Sequence, residues 1–152
     1  MKLIYKIREI ILRVLAKINL ALLIDKRFCE FELRSVFINL WLKERGVRWK
    51  GKVYFNALPR IPIKGSLLIG RNCSFGENTS FYLHEKLVIG DNFLGAPGVS
   101  FISGDHDSES LAYQGQAIVV GDDVWCGYET LVLAGAIIGN KVRFGARSVV
   151  TK

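Results

Sequence analysis

The feature that most constrains this chain is a period of six. Val120, Cys126, Val132, Ile138, Phe144 and Val150 stand six residues apart, and the first five are followed by Gly121, Gly127, Leu133, Gly139 and Gly145. Four residues after each apolar position come Val124, Thr130, Ala136, Val142 and Ser148, mostly small or β-branched. An earlier tract repeats the phrase with Ile69, Phe75, Phe81 and Leu87, the first two followed by Gly70 and Gly76. A shift of two residues restarts it at Ile89-Gly90, and it continues through Gly95 to Phe101. A helix brings one face round every ~3.6 residues and a plain strand every second one, so six belongs to neither. Short strands separated by corners fit it, each sending one large side chain inward. Glycine after that side chain lets the backbone turn or approach a neighbour closely. Stacked hexads of this kind predict a parallel β-helix, a solenoid in which each coil buries its apolar side against the next.

The first third reads differently. Ile4, Ile7, Ile11, Val14, Leu15, Ile18 and Leu22 recur at spacings of three and four, as do Leu33, Val36, Phe37, Leu40 and Trp41. These predict two helices with a break near Asp25, Lys26 and Arg27, and Gly46 is placed to stop the second after Lys43 and Arg45. The domain division is therefore 1–50, an N-terminal helical segment, and 51–152, the β-helix. The +7 formal charge lies wholly in the first third: Met1–Lys52 carries 13 Lys/Arg against 5 Asp/Glu, the remainder 8 against 9. That distribution argues against a basic nucleic-acid groove in the main body. Two readings of the basic segment stay open: helices capping the first coil, or a basic amphipathic helix in peripheral contact with anionic lipid. Charges at Lys6, Arg8, Glu9, Arg13 and Lys17 interrupt Met1–Ile24 too often for a bilayer span. Cys29, Cys73 and Cys126 form no C-x-x-C pair, which suits a reducing cytoplasm better than a disulfide framework.

The segment VVGDDVWCGYETLVLAGAIIGNKVRFGARSVVTK, Val119 to Lys152, resembles the terminal coils of the hexapeptide-repeat acyltransferases, where I-G-D-x-V-W-I-G and G-A-G-S-V-V-T-K are recurring phrases. The resemblance covers about Leu68–Lys152 and is nearest to the sugar and polysaccharide O-acetyltransferases and the xenobiotic acetyltransferases. It implies a mainly β fold, a left-handed parallel β-helix of triangular section with three hexads per coil, assembled as a homotrimer. Members of the family continue past V-V-T-K, so the 51–152 domain is expected to lack their C-terminal cap.

Phe101 and Val120 are nineteen residues apart where three hexads take eighteen, so a loop is expected to project between them. That interruption holds ISGDHDSES, Ile102–Ser110. In the family the catalytic histidine occupies such a place after a phrase like A-P-x-V, matched here by Ala96-Pro97-Gly98-Val99, which makes His106 the implied general base. An alcohol is a poor nucleophile at neutral pH, and an imidazole can take its proton and return it to a departing thiolate. A neighbouring carboxylate would fix the ring's tautomer; Asp105 and Asp107 both adjoin it, and the resemblance favours Asp107. A backbone N–H near Gly127 and Tyr128 is expected to face the oxyanion.

The resemblance further implies acetyl-CoA (acetyl-coenzyme A) as the acyl donor and no metal. Trp125 would line the pantetheine arm, with Gly127 and Tyr128 also among the cofactor-binding residues; Ala146 would meet the arm through its backbone, and Thr151 and Lys152 would lie near the adenosine end. The acceptor contact carries over to Asn78. In the trimer the cleft lies between subunits, with His106 of one chain facing coenzyme held partly by another. The implied function is acetyl transfer to a hydroxyl of a saccharide, in surface-polysaccharide synthesis. N-acetylation of an amino sugar, acetylation of a xenobiotic and a non-catalytic trimeric scaffold remain alternatives. The γ-type carbonic anhydrases share the fold but need three histidine ligands, and this sequence has only His84 and His106. His84 reads as an exposed side chain and Cys126 as core.

Overall fold

A computed structural model describes residue 36 and residues 38–60 and 66–152. The expected helix over Met1–Ile24 and the break at Asp25 lie outside the described residues. Among the described residues no helix is long and apolar enough to cross a membrane. A short helix, residues 38–43, buries Ile38, Trp41 and Leu42. Gly46, at φ +80°, closes it as expected: the Gly46 N–H donates to Lys43 O at 3.1 Å and the Val47 N–H to Leu42 O at 3.2 Å.

From there the chain is a β-solenoid of five coils. The first sheet stacks β1 (Arg48–Trp49), β3 (Leu67–Ile69), β6 (Leu87–Ile89), β9 (Ile118–Val120) and β12 (Ile137–Ile138). The second stacks β2 (Val53–Phe55), β4 (Cys73–Phe75), β7 (Leu94–Gly95), β10 (Trp125–Cys126) and β13 (Arg143–Phe144). The third stacks β5 (Ser80–Tyr82), β8 (Ser100–Ile102), β11 (Leu131–Leu133) and β14 (Val149–Val150). All strand pairs are parallel, and the hexad residues are register partners: Ile69 with Ile89, Ile89 with Val120, Val120 with Ile138.

The register shows where coils differ in length. The steps from Ile69 to Phe75 to Phe81, and their equivalents in later coils, are all six residues. Among the described residues, the step that varies is the return from the third sheet to the first. It takes eight residues from Phe81 to Ile89, nineteen from Phe101 to Val120, and six from Val132 to Ile138. The loop is thus an insertion of thirteen residues into a single six-residue step, larger than the eighteen-residue comparison suggested.

Two of the three corners turn by the same device. Asn72, Asn92, Asp123 and Lys141 succeed one another at the corner between the first and second sheets, with φ between 54° and 61°. Asn78, Gly98, Glu129 and Arg147 do so between the second and third. Asparagine and aspartate tolerate this left-handed conformation because their short side chains bond locally. Here they also bond from coil to coil: the Asn72 Nδ2–H donates to Asn92 Oδ1 at 3.0 Å, and the Asn92 Nδ2–H to Asp123 Oδ1 at 2.9 Å. The glycine of the hexad therefore serves close approach rather than the turn. A Cβ on Gly127 would meet the Ala146 N and Phe144 O of the next coil at 2.8 Å.

The interior is aromatic in the early coils. Phe55 stacks on Phe75 at 4.7 Å, Phe75 meets Phe93 at 5.2 Å, and Phe81 stacks on Phe101 at 5.6 Å, all fully buried. Gly95 occupies an inward position because Phe93, two residues earlier, fills its space: a Cβ there would lie 3.0 Å from the Phe93 ring. Later coils use smaller groups, with Val124, Cys126, Thr130, Val132 and Ala136 all buried. Cys126 is core as expected, and burial pushes its thiol pKa up to about 12. The Thr130 hydroxyl is fully buried and donates to Gly127 O at 2.8 Å, a bond repeated by Thr79 to Gly76 O and Ser148 to Gly145 O. Thr130→Val keeps the shape and removes the donor, so chemical denaturation should show a loss of about 1 kcal/mol.

Candidate functional site

The nineteen-residue step projects as a hairpin. Its arms pair through Gln114 N–H to Asp105 O at 2.9 Å and Asp107 N–H to Ala112 O at 2.8 Å, and His106 bridges Tyr113 antiparallel. Its base is held by the buried Ser103. That hydroxyl accepts from the His84 and Glu85 amides at 3.0 and 2.8 Å, and the Gln116 N–H donates to Ser103 O at 3.0 Å. At the tip, Leu111 sits at φ 56° and is 73% exposed. A leucine in that conformation costs on the order of 1–2 kcal/mol, and its burial returns almost nothing. What the conformation supplies is a carbonyl: Leu111 O lies 2.9 Å from His106 Nδ1.

This contact settles the tautomer. A carbonyl oxygen only accepts, so the bond requires the proton on Nδ1 and leaves the lone pair of the neutral ring on Nε2. His106 is exposed, so its ring is open to a substrate approaching from solvent. The carboxylate expected to orient it does something else. Asp107 Oδ1 accepts from the Ser110 N–H at 2.8 Å, the Ser110 hydroxyl at 2.7 Å and the Glu109 N–H at 3.2 Å, folding the tip. A carboxylate so occupied closes the turn that presents Leu111 O, and the orienting group on the ring is that carbonyl. Asp105 Oδ1 accepts from the His106 amide at 2.8 Å, again serving the backbone.

The Ser110 amide, then its hydroxyl and the Glu109 amide, hold the Asp107 carboxyl below its ordinary pKa. Since the folded pKa is depressed, the stabilisation is complete above the ordinary carboxylate range. It is lost as pH falls below that range through the folded value. Protection of the Ser110 and Glu109 amides against hydrogen exchange should therefore drop on acidification. Asp107→Asn, which keeps an acceptor oxygen, should flatten that pH dependence.

Glu85, Tyr113 and Leu111 were not singled out in the sequence, since a hairpin within an insertion carries no period and its tip has no glycine to mark it. The Tyr113 hydroxyl donates to Glu85 Oε1 at 3.1 Å, and its ring lies between His84 (centroids 5.7 Å apart) and His106 (6.0 Å, edge-on). His84 is exposed, as expected, yet it belongs to this cluster.

The remaining expected residues fall into three places. Lys152 follows β14 on the hairpin's corner, where its side chain and that of Gln116 close over Gly135; Thr151 adjoins it. Trp125, 42% exposed, stands on the outer face of the second sheet. It lines a depression of about 270 Å³ with Leu94, Asp123 and Arg143. Tyr128, Ala146 and Asn78 occupy the corner between the second and third sheets in the fourth, fifth and second coils. One protomer thus does not bring His106 to Trp125: the hairpin corner joins the first and third sheets, and Trp125 lies on the second. The Gly127 N–H donates to Phe144 O at 3.0 Å, so it belongs to the coil-to-coil ladder and is not available to an oxyanion. The Tyr128 phenol is raised by its hydrogen bond with Glu129, whose carboxylate also pairs with Arg147 Nε at 3.0 Å.

No protein-family model matches the chain. It is 34% identical over 89 residues to galactoside O-acetyltransferase of Escherichia coli (strain K12), covering 55% of this chain and 44% of that protein. It is 35% identical over 91 residues to chloramphenicol acetyltransferase of Klebsiella aerogenes, covering 57% and 42%. The matches thus span less than half the length of these curated relatives. The crystal structure of a maltose O-acetyltransferase from Clostridium difficile 630 superposes with a TM-score of 0.61 at 26% identity, over 95% of this chain and 78% of that one. By its repeats and coil register the chain is a β-solenoid, and the proteins it is similar to are acetyltransferases.

Proposed function

We propose that the protein is an acetyltransferase that moves an acetyl group from acetyl-CoA to a hydroxyl of a saccharide, with His106 as general base. The observation that carries this reading is the Nδ1 contact with Leu111 O, which leaves Nε2 able to accept a proton from an incoming hydroxyl. His106 Nε2 takes the hydroxyl proton as the oxygen adds to the thioester carbonyl. The tetrahedral adduct then collapses, the C–S bond breaks, and the imidazolium returns the proton to the thiolate. The oxyanion role passes from Gly127 to the Tyr128 amide. The galactoside relative and the maltose enzyme support a saccharide acceptor; the chloramphenicol acetyltransferase relative favours the alternative of a xenobiotic acceptor.

The same proposal includes a homotrimer, because a site containing both His106 and the Trp125 face needs a second copy. Lys152 and Thr151 would then stand toward the phosphate-bearing end of the coenzyme, Ala146 along its arm, and Asn78 toward the acceptor. A cytoplasmic setting, surface-polysaccharide synthesis and contact of the basic first third with anionic lipid belong to it as well. The test is thiol release from acetyl-CoA across a panel of saccharides. Release that depends on the acceptor supports the reading. Calorimetry showing no coenzyme binding would overturn it in favour of a trimeric scaffold.

A further inference from the structure

The hairpin that carries His106 is an insertion, and its own hydrogen bonds do not fix where it stands against the solenoid. His106, Leu111 and Asp107 belong to one hairpin and would move together. Two links tie the hairpin to the preceding coil. One is the backbone and hydroxyl bonding of Ser103 at its base. The other lies further out: Tyr113, on the second arm, donates its hydroxyl to Glu85 Oε1 at 3.1 Å and sets its ring against His84 at 5.7 Å. The same ring meets His106 edge-on at 6.0 Å, with an interplanar angle of 80°. Gly115 leaves the space that this phenol occupies, since a Cβ there would lie 2.5 Å from Tyr113 Cζ.

We propose that Tyr113 is a positioning residue: its tether to Glu85 pins the hairpin to the coil and so fixes where the His106 imidazole stands relative to the solenoid face. A base misplaced by about 1 Å loses up to ~100-fold in rate, although its tautomer and acidity are unchanged. The inference rests on His106 as the base, and two properties of the molecule let its failure be told from the failure of that reading. The tether can be observed without turnover, and the chain holds only two histidines, so the His84 ring protons are readily assigned by nuclear magnetic resonance.

The experiment uses the full chain, wild type against Tyr113→Phe, Glu85→Ala, Glu85→Gln and the Tyr113→Phe/Glu85→Ala pair, with acetyl-CoA and the best acceptor found. Tyr113→Phe keeps the ring and removes the tether. It should lower kcat about tenfold, leave KM for acetyl-CoA and the midpoint of the pH–rate profile in place, and weaken the Overhauser contact between the residue 113 ring and His84. Glu85→Ala should do the same, and the double variant should be no worse than either single one. Glu85→Gln, which still offers an acceptor oxygen, should recover most of kcat. An intact Overhauser contact in Tyr113→Phe overturns the proposal whatever the rate, because the tether then holds nothing in place. A weakened contact with unchanged kcat also overturns it. Full activity in His106→Ala removes the base instead, while the Overhauser comparison still decides the tether.

Discussion

With His106 as the proposed general base, His106→Ala should lower the rate of acetyl transfer by about 10²–10⁴-fold, the usual contribution of such a group. The loss should fall on kcat rather than on KM for the donor, because in the proposed mechanism the imidazole acts on the acceptor's proton and the expected donor contacts lie on other elements. Steady-state thiol release at saturating acetyl-CoA measures it. The reason for so large an effect is the ring's fixed orientation: Leu111 O holds Nδ1 at 2.9 Å, so the neutral ring presents its lone pair at Nε2 alone. His106→Gln would reach into similar space without a basic nitrogen and should be as inactive as the alanine variant. A rate within threefold of wild type in both variants would remove His106 from the chemistry.

Phe75→Ala destabilises the fold by about 3–5 kcal/mol. Phe75 is fully buried at the centre of the aromatic stack, with Phe55 at 4.7 Å, Phe93 at 5.2 Å and Phe81 at 5.6 Å. Truncation leaves a cavity that rigid coils on either side cannot close, since each is held in register by its backbone ladder. The comparable change at Phe144, in the last coil and only partly buried, should cost clearly less. In a solenoid, stability is close to a sum over coils and their interfaces. Chemical denaturation of Phe75→Ala should therefore show a lowered slope as well as an earlier midpoint, as the early coils uncouple from the later ones. Equal losses at both positions would contradict this account of the core.

The solenoid was legible because its cause is periodic. One large inward residue per strand and six residues per strand-plus-corner leave a mark that Val120 through Val150 repeat without error. Where packing is solved by two residues in exchange, the mark blurs. Gly95 stands at an inward position with nothing to bury, and only the structure shows that Phe93 fills the gap. The corner device was hidden for a different reason. Asn72, Asn92 and Asp123 are recognisable turn formers, but Lys141, Glu129 and Arg147 adopt the same backbone under the constraint of the coil beneath them. His106 was singled out by its place in a family phrase and by the broken register. Its partners were not, because hairpin pairing depends on which carbonyls and carboxylates face one another. Asp107 illustrates the limit: the resemblance pointed it at the imidazole, and its Oδ1 accepts from Ser110 and Glu109 instead.

Among the described residues, coil length changes at the corner between the third and first sheets, from six residues to eight to nineteen, while all three sheets stay aligned above and below it. Chain length and strand alignment are thereby uncoupled in this architecture. A longer, shorter or differently folded appendage at that edge leaves the ladder of strands undisturbed. Whatever chemistry that edge carries can then be altered by exchanging one segment, with no compensating change in the buried interior.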